Sequence, residues 1–326
     1  MRTLLTTAFW LIAFTAVADD PRSALNIDKS RITVSGISSG AAMAHQLHIA
    51  YSDVFSGAAI FSGVPYYCAE KSLMTALKRC TENNTAALPV GQFAAKIRED
   101  FKAGLLANPE NLADDRVFLF HGTLDTKVSP LVHNATATLY ADFIDDGQIR
   151  QVNEVAAGHV FPATDADHNC TELVPPFVGD CDYDGAGELL SFLYPDRVTP
   201  GSGVETELTE STVPGAGDAD LMETGYLFVP PACKADGQAC PLHLVLHGCA
   251  QSAETIGTDF IKQSGYLPWA EANQVVLAFP QVEKSLVAPI NPHGCWDWWG
   301  YTGDDYANRN GKQMTSLVEW LKAIGG

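Results

Sequence analysis

Apolar and polar positions follow two rhythms along this chain. From Ala24 to about Tyr194, short apolar runs rich in β-branched and aromatic residues alternate with longer stretches of helical spacing. ITVSG, GAAIFSG and RVFLFHG belong to the first kind and predict strands. AAMAHQLHIAYS and VHNATATLYADFIDDG belong to the second and predict helices, and QVNEVAAGHVFP passes from strand into loop. Strands separated by helices of this length predict a parallel sheet in an α/β fold. The pattern breaks between Asp196 and Glu223, where Gly, Pro, Ser, Thr and acidic residues dominate and an exposed connection is expected. Beyond it, TGYLFVPP, PLHLVLHG and VVLAFPQ predict three more strands, and KQMTSLVEWLKAIGG an amphipathic closing helix. No internal repeat is visible.

The first strand runs into Gly36-Ile37-Ser38-Ser39-Gly40 and then a helix of small residues. Strand, tight Gly-x-Ser-x-Gly turn and helix together form the arrangement that lifts a serine hydroxyl above the sheet of an α/β-hydrolase. Glycines are required because a Cβ in so tight a turn would strike neighbouring backbone. In that fold several strands normally precede the turn, and here hardly any chain does. The late strands supply them: joining the closing helix to ALNIDKSRITVSGISSG restores helix, strand and elbow in the usual order. The expected architecture is therefore a circularly permuted α/β-hydrolase fold with a mostly parallel sheet. Its two ends lie close in space, and 196–223 joins the old ends.

A serine hydroxyl is a weak nucleophile alone and needs a base oriented by an acid. Ser38 is the candidate nucleophile, the alternative being a turn serine. The acid should precede the histidine in the chain. Asp125, just past a strand in FLFHGTLDTKVSP, is the candidate acid, and His159, in the loop of VAAGHVFP, the candidate base. A cap aspartate and a loop histidine are the plainer readings of these two. His168 also follows the acid but lies further from the strand end. In this arrangement Asp125 holds the imidazole tautomer, His159 takes the Ser38 proton and an acyl-enzyme forms. The oxyanion hole needs two backbone donors, expected from the Ser39 amide and from Cys249 in LHLVLHGCAQSA. Cys295 opens CWDWWGYTGDDY, so Trp296, Trp298 and Trp299 form either an aromatic wall for an apolar substrate or a core cluster.

Other features narrow the setting. MRTLLTTAFWLIAFTAVA, residues 1–18, has a basic start, an apolar run and a small-x-small end, and reads as a secretory signal. That leaves 19–326 as one catalytic domain. No later stretch reaches the roughly 20 apolar residues of a membrane span. The chain is expected to be soluble and exported, extracellular or periplasmic. A net charge of -19 argues against a nucleic-acid partner. The eight cysteines form four local couples: Cys68 with Cys80, Cys170 with Cys181, Cys233 with Cys240, and Cys249 with Cys295. Export permits disulfides, and proximity favours these pairings without fixing them. Asp180, Asp182, Asp184 and Gly185 imitate the start of a calcium loop, but Ser191 stands where its last acid belongs, which favours a solvated turn. His45 and His48 share a helix face without a further ligand in view. Asn83-Asn84-Thr85 and Asn134-Ala135-Thr136 are glycosylation sequons. No metal or cofactor is expected, and the oligomeric state stays open.

GISSGAAMA, HGTLDTKV, GHVFP, DADLMETGYLFVPPAC, LHGCAQS and GCWDWWGYTG together resemble the secreted or periplasmic poly(3-hydroxybutyrate) depolymerases, and among them the single-domain, circularly permuted branch. The resemblance spans nearly all of the chain after the leader. It implies Ser38, Asp125 and His159 as the triad and the Ser39 and Cys249 amides as the oxyanion hole. It further implies a Trp of the 296–299 cluster as pocket wall, and a polyester polymer or oligomer as substrate. Many extracellular members carry a separate polymer-binding domain, for which this chain has no room, so exposed apolar side chains near the cleft would supply the grip. A carbohydrate esterase releasing acetyl or feruloyl groups, and a non-catalytic polymer binder, are the competing expectations.

Overall fold

The computed structural model describes residues 24–82, 84–234 and 237–325. The leader read over 1–18 and the sequon residue Asn83 lie outside the described residues. The strands are β1 (Ile27–Ile37), β2 (Gly57–Phe61), β3 (Arg116–Phe120), β4 (Ile149–Val152), β5 (Phe161–Ala163), β6 (Val178–Asp180), β7 (Thr209–Thr212), β8 (Thr224–Phe228), β9 (Cys240–Leu246) and β10 (Val276–Phe279). Eight of them build one sheet in the order β4-β3-β2-β1-β9-β10-β8-β7, and β5 with β6 forms a small parallel pair beside it. Every neighbouring pair in the large sheet is parallel except those of β8, which runs antiparallel to β10 and β7.

β1, first in the chain, lies inside the sheet. The next three strands extend it one way and the last strands complete it the other way, which is the α/β-hydrolase sheet entered at its middle. The closing helix Lys312–Gly325 ends beside the start of β1. The permuted order expected from the sequence is thus the observed one.

Period-2 alternation divides β1 between the two faces. Ile32 and Val34 join a core under the helices Ser39–Ala50, Val90–Lys102, Pro130–Tyr140 and Lys312–Gly325. Ile37 joins the opposite core, under Gly185–Leu193 and Tyr266–Asn273. The helix Ser39–Ala50 is buried along its whole length, so it shows no polar face, as a helix enclosed on all sides should. On the Ile37 face the sheet also buries a polar row. Thr33 Oγ1 lies 2.5 Å from Tyr194 Oη and 2.7 Å from His243 Nδ1, and Ser35 Oγ lies 2.7 Å from both His243 Nε2 and Tyr266 Oη.

The connection read over 196–223 needs correction. Residues 198–206 are almost wholly exposed, but Thr209–Thr212 forms the edge strand β7, and Val213, Ala216, Ala219 and Leu221 are buried. TEST carries no apolar residue, so its sequence gives no strand signal. The structure supports it from outside, through the ladder to β8 and a hydrogen bond from Trp320 Nε1 to Ser211 Oγ (3.0 Å). The four cysteine couples are bonded as proximity suggested.

Candidate active site

β1 delivers Ser38 to the edge of the sheet with φ 58° and ψ −120°. A left-handed conformation at a residue with a side chain costs on the order of 1–3 kcal/mol and persists only where its surroundings enforce it. Here the Ser38 amide is held by the Phe61 carbonyl (3.0 Å), and the Ser38 carbonyl accepts from the Ala42 amide (3.0 Å). The flanking glycines are steric necessities: a Cβ on Gly36 would come 2.3 Å from the Gly40 carbonyl, and one on Gly40 2.3 Å from the carbonyls of Leu246 and His247.

Asp125 stands in the turn after β3. Its Oδ1 accepts the amides of Lys127 (2.7 Å) and Val128 (3.0 Å), and its Oδ2 faces His159 Nδ1 at 2.8 Å. A carboxylate can only accept, so Nδ1 carries the proton and Nε2 is the nitrogen left for other chemistry. The two loops are zipped together by amides of Thr123 and Leu124 donating to the carbonyls of Val155 and Ala157. The Asp125 side chain is fully shielded, whereas His159 keeps 11% exposure. Burial pushes the Asp125 carboxyl up. The hydrogen bond and charge of His159, with the Ser62 hydroxyl and the Lys127 amide, outweigh that and hold it well below the usual carboxylate range.

Ser38 and His159 open on one cavity of about 490 Å³, which Ser39, Gly248, Cys249 and Trp298 also line. Ser39 begins a helix, so its N–H has no partner within that helix. Cys249 follows β9 and is bonded to Cys295. These are the expected nucleophile, base and donors, brought to one place from β1, β9 and the β4–β5 loop.

The three tryptophans part company. Trp298 is half-buried and lies on the cavity wall. Trp296 does not: it is fully buried, its Nε1 donating to the His247 carbonyl at 2.9 Å, and it props the turn that carries Cys249. Trp299 packs edge-on against Trp298 at 5.6 Å and is not among the lining residues. The expectation of a substrate wall thus reaches Trp298 alone, because the run CWDWW is a loop that turns successive side chains inward and outward.

Other candidates fall into structural roles. His168 pairs with Glu172 at 3.6 Å, away from the cavity lining. Asp184 caps the helix Gly185–Leu193 by accepting the Gly187 amide, and no group of acidic, His or Cys side chains suited to a metal occurs among the described residues. His45 bonds the Val64 carbonyl and stacks on Tyr140, while His48 lies between Tyr140 Oη and Asp115. The sequence reading passed over Ser62, Leu173, Phe177 and Gln251, which also line the cavity. Ser62 had a signal, since it follows the strand run GAAIF as Ser38 follows β1; the structure gives it φ 49°. The others lie in loops whose course no local pattern reveals.

No protein-family model matches the chain. A poly(3-hydroxybutyrate) depolymerase of Delftia acidovorans is 35% identical over 92% of this chain, which spans 61% of that protein's length. A polyhydroxybutyrate depolymerase of Talaromyces funiculosus is 34% identical over 97% of this chain and 96% of its own. Part of the chain, 32% of it, is 35% identical to feruloyl esterase B of Thermothelomyces thermophilus over 34% of that protein. Two solved structures superpose with a TM-score of 0.87 and 32% identity, covering 93% of this chain and 98% of theirs. One is PHB depolymerase from Penicillium funiculosum, and the other a serine-to-alanine variant of a PHB depolymerase complexed with an R3HB trimer. A permuted hydrolase sheet, an elbow serine sharing a cavity with a carboxylate-bound histidine, and likeness to PHB depolymerases over nearly all of this chain converge on one conclusion: the chain belongs to the poly(3-hydroxybutyrate) depolymerase family.

Proposed function

We propose that the protein is a serine esterase that hydrolyses poly(3-hydroxybutyrate) and related short-chain polyhydroxyalkanoates to oligomers and monomer. His159 Nε2 removes the Ser38 proton as Oγ attacks the ester carbonyl. The oxyanion is met by the Ser39 and Cys249 amides. Collapse expels the alcohol end of the polymer, which takes the proton from His159. Water, deprotonated in turn by His159, then attacks the acyl-enzyme and releases a carboxylic acid and free Ser38. Asp125 fixes the tautomer and stabilises the imidazolium.

The observation that carries this reading is the Asp125–His159 pair at 2.8 Å, opening on the cavity that also exposes Ser38. The substrate assignment is supported by family membership and by the apolar mouth. Leu77, Leu173 and Trp298 line the cavity, and Leu73, Met74, Val174, Leu286, Val287 and Ile290 are exposed nearby in sequence to lining residues. A neutral, methyl-bearing polyester suits such a surface, and these side chains would adsorb it. Four disulfides fit an extracellular or periplasmic location. No helix among the described residues is long and apolar enough to cross a membrane.

The test is acid release and clearing of an amorphous poly(3-hydroxybutyrate) suspension by the wild type and by Ser38→Ala. Clearing by the wild type alone is expected. Cleavage of a soluble butyrate ester without clearing would leave the elbow and remove the polymer. The partial likeness to a feruloyl esterase makes acetylated and feruloylated xylan the comparison substrates, on which little activity is expected. Binding to polymer granules without acid release would favour a non-catalytic binder.

A further inference from the structure

Gln251 closes the turn that follows β9. It is 3% exposed, and both ends of its carboxamide are engaged. Oε1 accepts the Gly248 amide at 2.5 Å, while Nε2 donates to the carbonyls of Pro176 (2.8 Å) and Phe177 (3.4 Å). An N–H can meet only the oxygen end and a carbonyl only the nitrogen end, so these partners fix which way the amide points.

The side chain thereby joins two stretches of cavity wall that are distant in sequence. One is the turn Gly248–Gln251; the other contains Leu173 and Phe177. Within the turn, the Ala250 amide donates to the His293 carbonyl (2.6 Å) and the Gln251 amide to the Gly248 carbonyl (3.3 Å). Of four consecutive amides, that of Cys249 alone forms no hydrogen bond to protein among the described residues. Residue 248 is matched to this arrangement: a Cβ there would come 2.7 Å from Gln251 Oε1 and 3.4 Å from Ser38 Cβ. The space that lets the turn approach Ser38 is the space in which the carboxamide grips it.

We infer that Gln251 is a positioning residue for ester hydrolysis. It holds the turn so that the Cys249 amide serves the oxyanion, and it ties that turn to the Leu173–Phe177 wall against which the substrate packs. This rests on the assignment of the Cys249 amide to the oxyanion hole made above. A side chain that only filled space would be replaced by methionine without catalytic loss. One that acts through its two polar ends would not.

Gln251→Met keeps the length and loses all three hydrogen bonds. Gln251→Glu, as the carboxylate, keeps an acceptor for the Gly248 amide and loses the donor to Pro176 and Phe177. Both are measured on a soluble butyrate ester and a short hydroxybutyrate oligomer, with inhibition by a trifluoromethyl ketone whose Ser38 adduct places an oxyanion in the hole. Deleting an oxyanion donor costs about 100- to 1,000-fold in kcat. Gln251→Met, which misaligns one, is expected to lose about 10- to 100-fold and to weaken ketone binding in parallel. Gln251→Glu should recover most of kcat while KM for the oligomer stays raised. Wild-type kcat and ketone affinity in Gln251→Met, or equal kcat losses in the two variants, would overturn the inference. Should Gln251→Met not fold, Gln251→Glu decides alone, retained kcat with raised KM supporting it and unchanged KM refuting it. Ser38→Ala is assayed alongside: its retained activity would sink the elbow reading itself, a separate failure.

Discussion

The amide of Leu25 donates to the carbonyl of Ile324 across 2.8 Å, so the segment that leads into the first strand is bonded to the last helix. Gly203, far from that junction in sequence, is exposed, with no atom of the described residues within 4 Å of where its Cβ would be. Backbone continuity is thus interchangeable between the two places. A chain with residue 325 joined to residue 24 by a short Gly/Ser linker and reopened at Gly203 should fold with a similar Tm and hydrolyse the same esters. A thermal melt and an ester assay check this, and an insoluble or inactive permutant would refute it.

Asp125→Asn places an amide where Nδ1 of His159 needs an acceptor, and favours the wrong tautomer. In a triad this costs about 10⁴-fold in kcat with geometry preserved. Stability carries a second signature. The folded carboxyl titrates below its ordinary value of about 3.9, so its contribution is complete above that value and is lost as pH falls through the folded one. The wild type should therefore exceed the variant in Tm at pH 6, and the gap should close in strong acid.

Trp296 and Trp298 should separate stability from substrate affinity. Trp296→Phe removes the bond to the His247 carbonyl and leaves a void in a closed core, at a cost of about 2–4 kcal/mol. Trp298→Ala should leave Tm within a few degrees and raise KM for oligomers severalfold, because its ring faces the cavity. Denaturant melts and steady-state kinetics distinguish the two, and equal effects in both assays would contradict the structure.

His133 is fully buried, and neither ring nitrogen has a hydrogen-bond partner among the described residues. Burial pushes its pKa down to about 3, as it does for His45 and His243, and His247 to about 4. The unfolded chain takes up these protons near pH 6.5 while the folded one refuses them. Stability must therefore fall as pH drops from about 6.5, by up to about 1.4 kcal/mol per pH unit for each such histidine. His133→Phe keeps the ring packing against His121 and should reduce that slope. Urea midpoints at pH 7 and pH 5 measure it, and an unaltered slope would count against the burial argument.

The elbow and its strand were legible because steric demand leaves a local trace: Gly36 and Gly40 occur where a Cβ would meet backbone at 2.3 Å. Asp125 and His159 were legible through chain order and strand ends. The permutation was legible because three apolar runs had no other sheet to join. β7 was not, since its four polar residues draw their support from β8 and Trp320. Nor was the division between Trp296 and Trp298, which depends on how a loop winds. Gln251 left no mark because its partners, Gly248 and Pro176, are backbone groups that any residue supplies.

The polar row that joins β1 and β9 to Tyr194 and Tyr266 has a direction. Tyr194 donates to the Leu242 carbonyl (3.1 Å), so Thr33 must donate to Tyr194, His243 Nδ1–H to Thr33, Ser35 to His243 Nε2, and Tyr266 to Ser35. Every proton points the same way, as in a line of people each holding the next one's shoulder. An apolar substitution at any single member strands a buried group on one or both sides, whereas replacing the whole row removes the demand altogether. Drift at these five positions is therefore expected to be concerted: related chains should carry the row complete or not at all, and an engineer seeking a simpler core must exchange all five together.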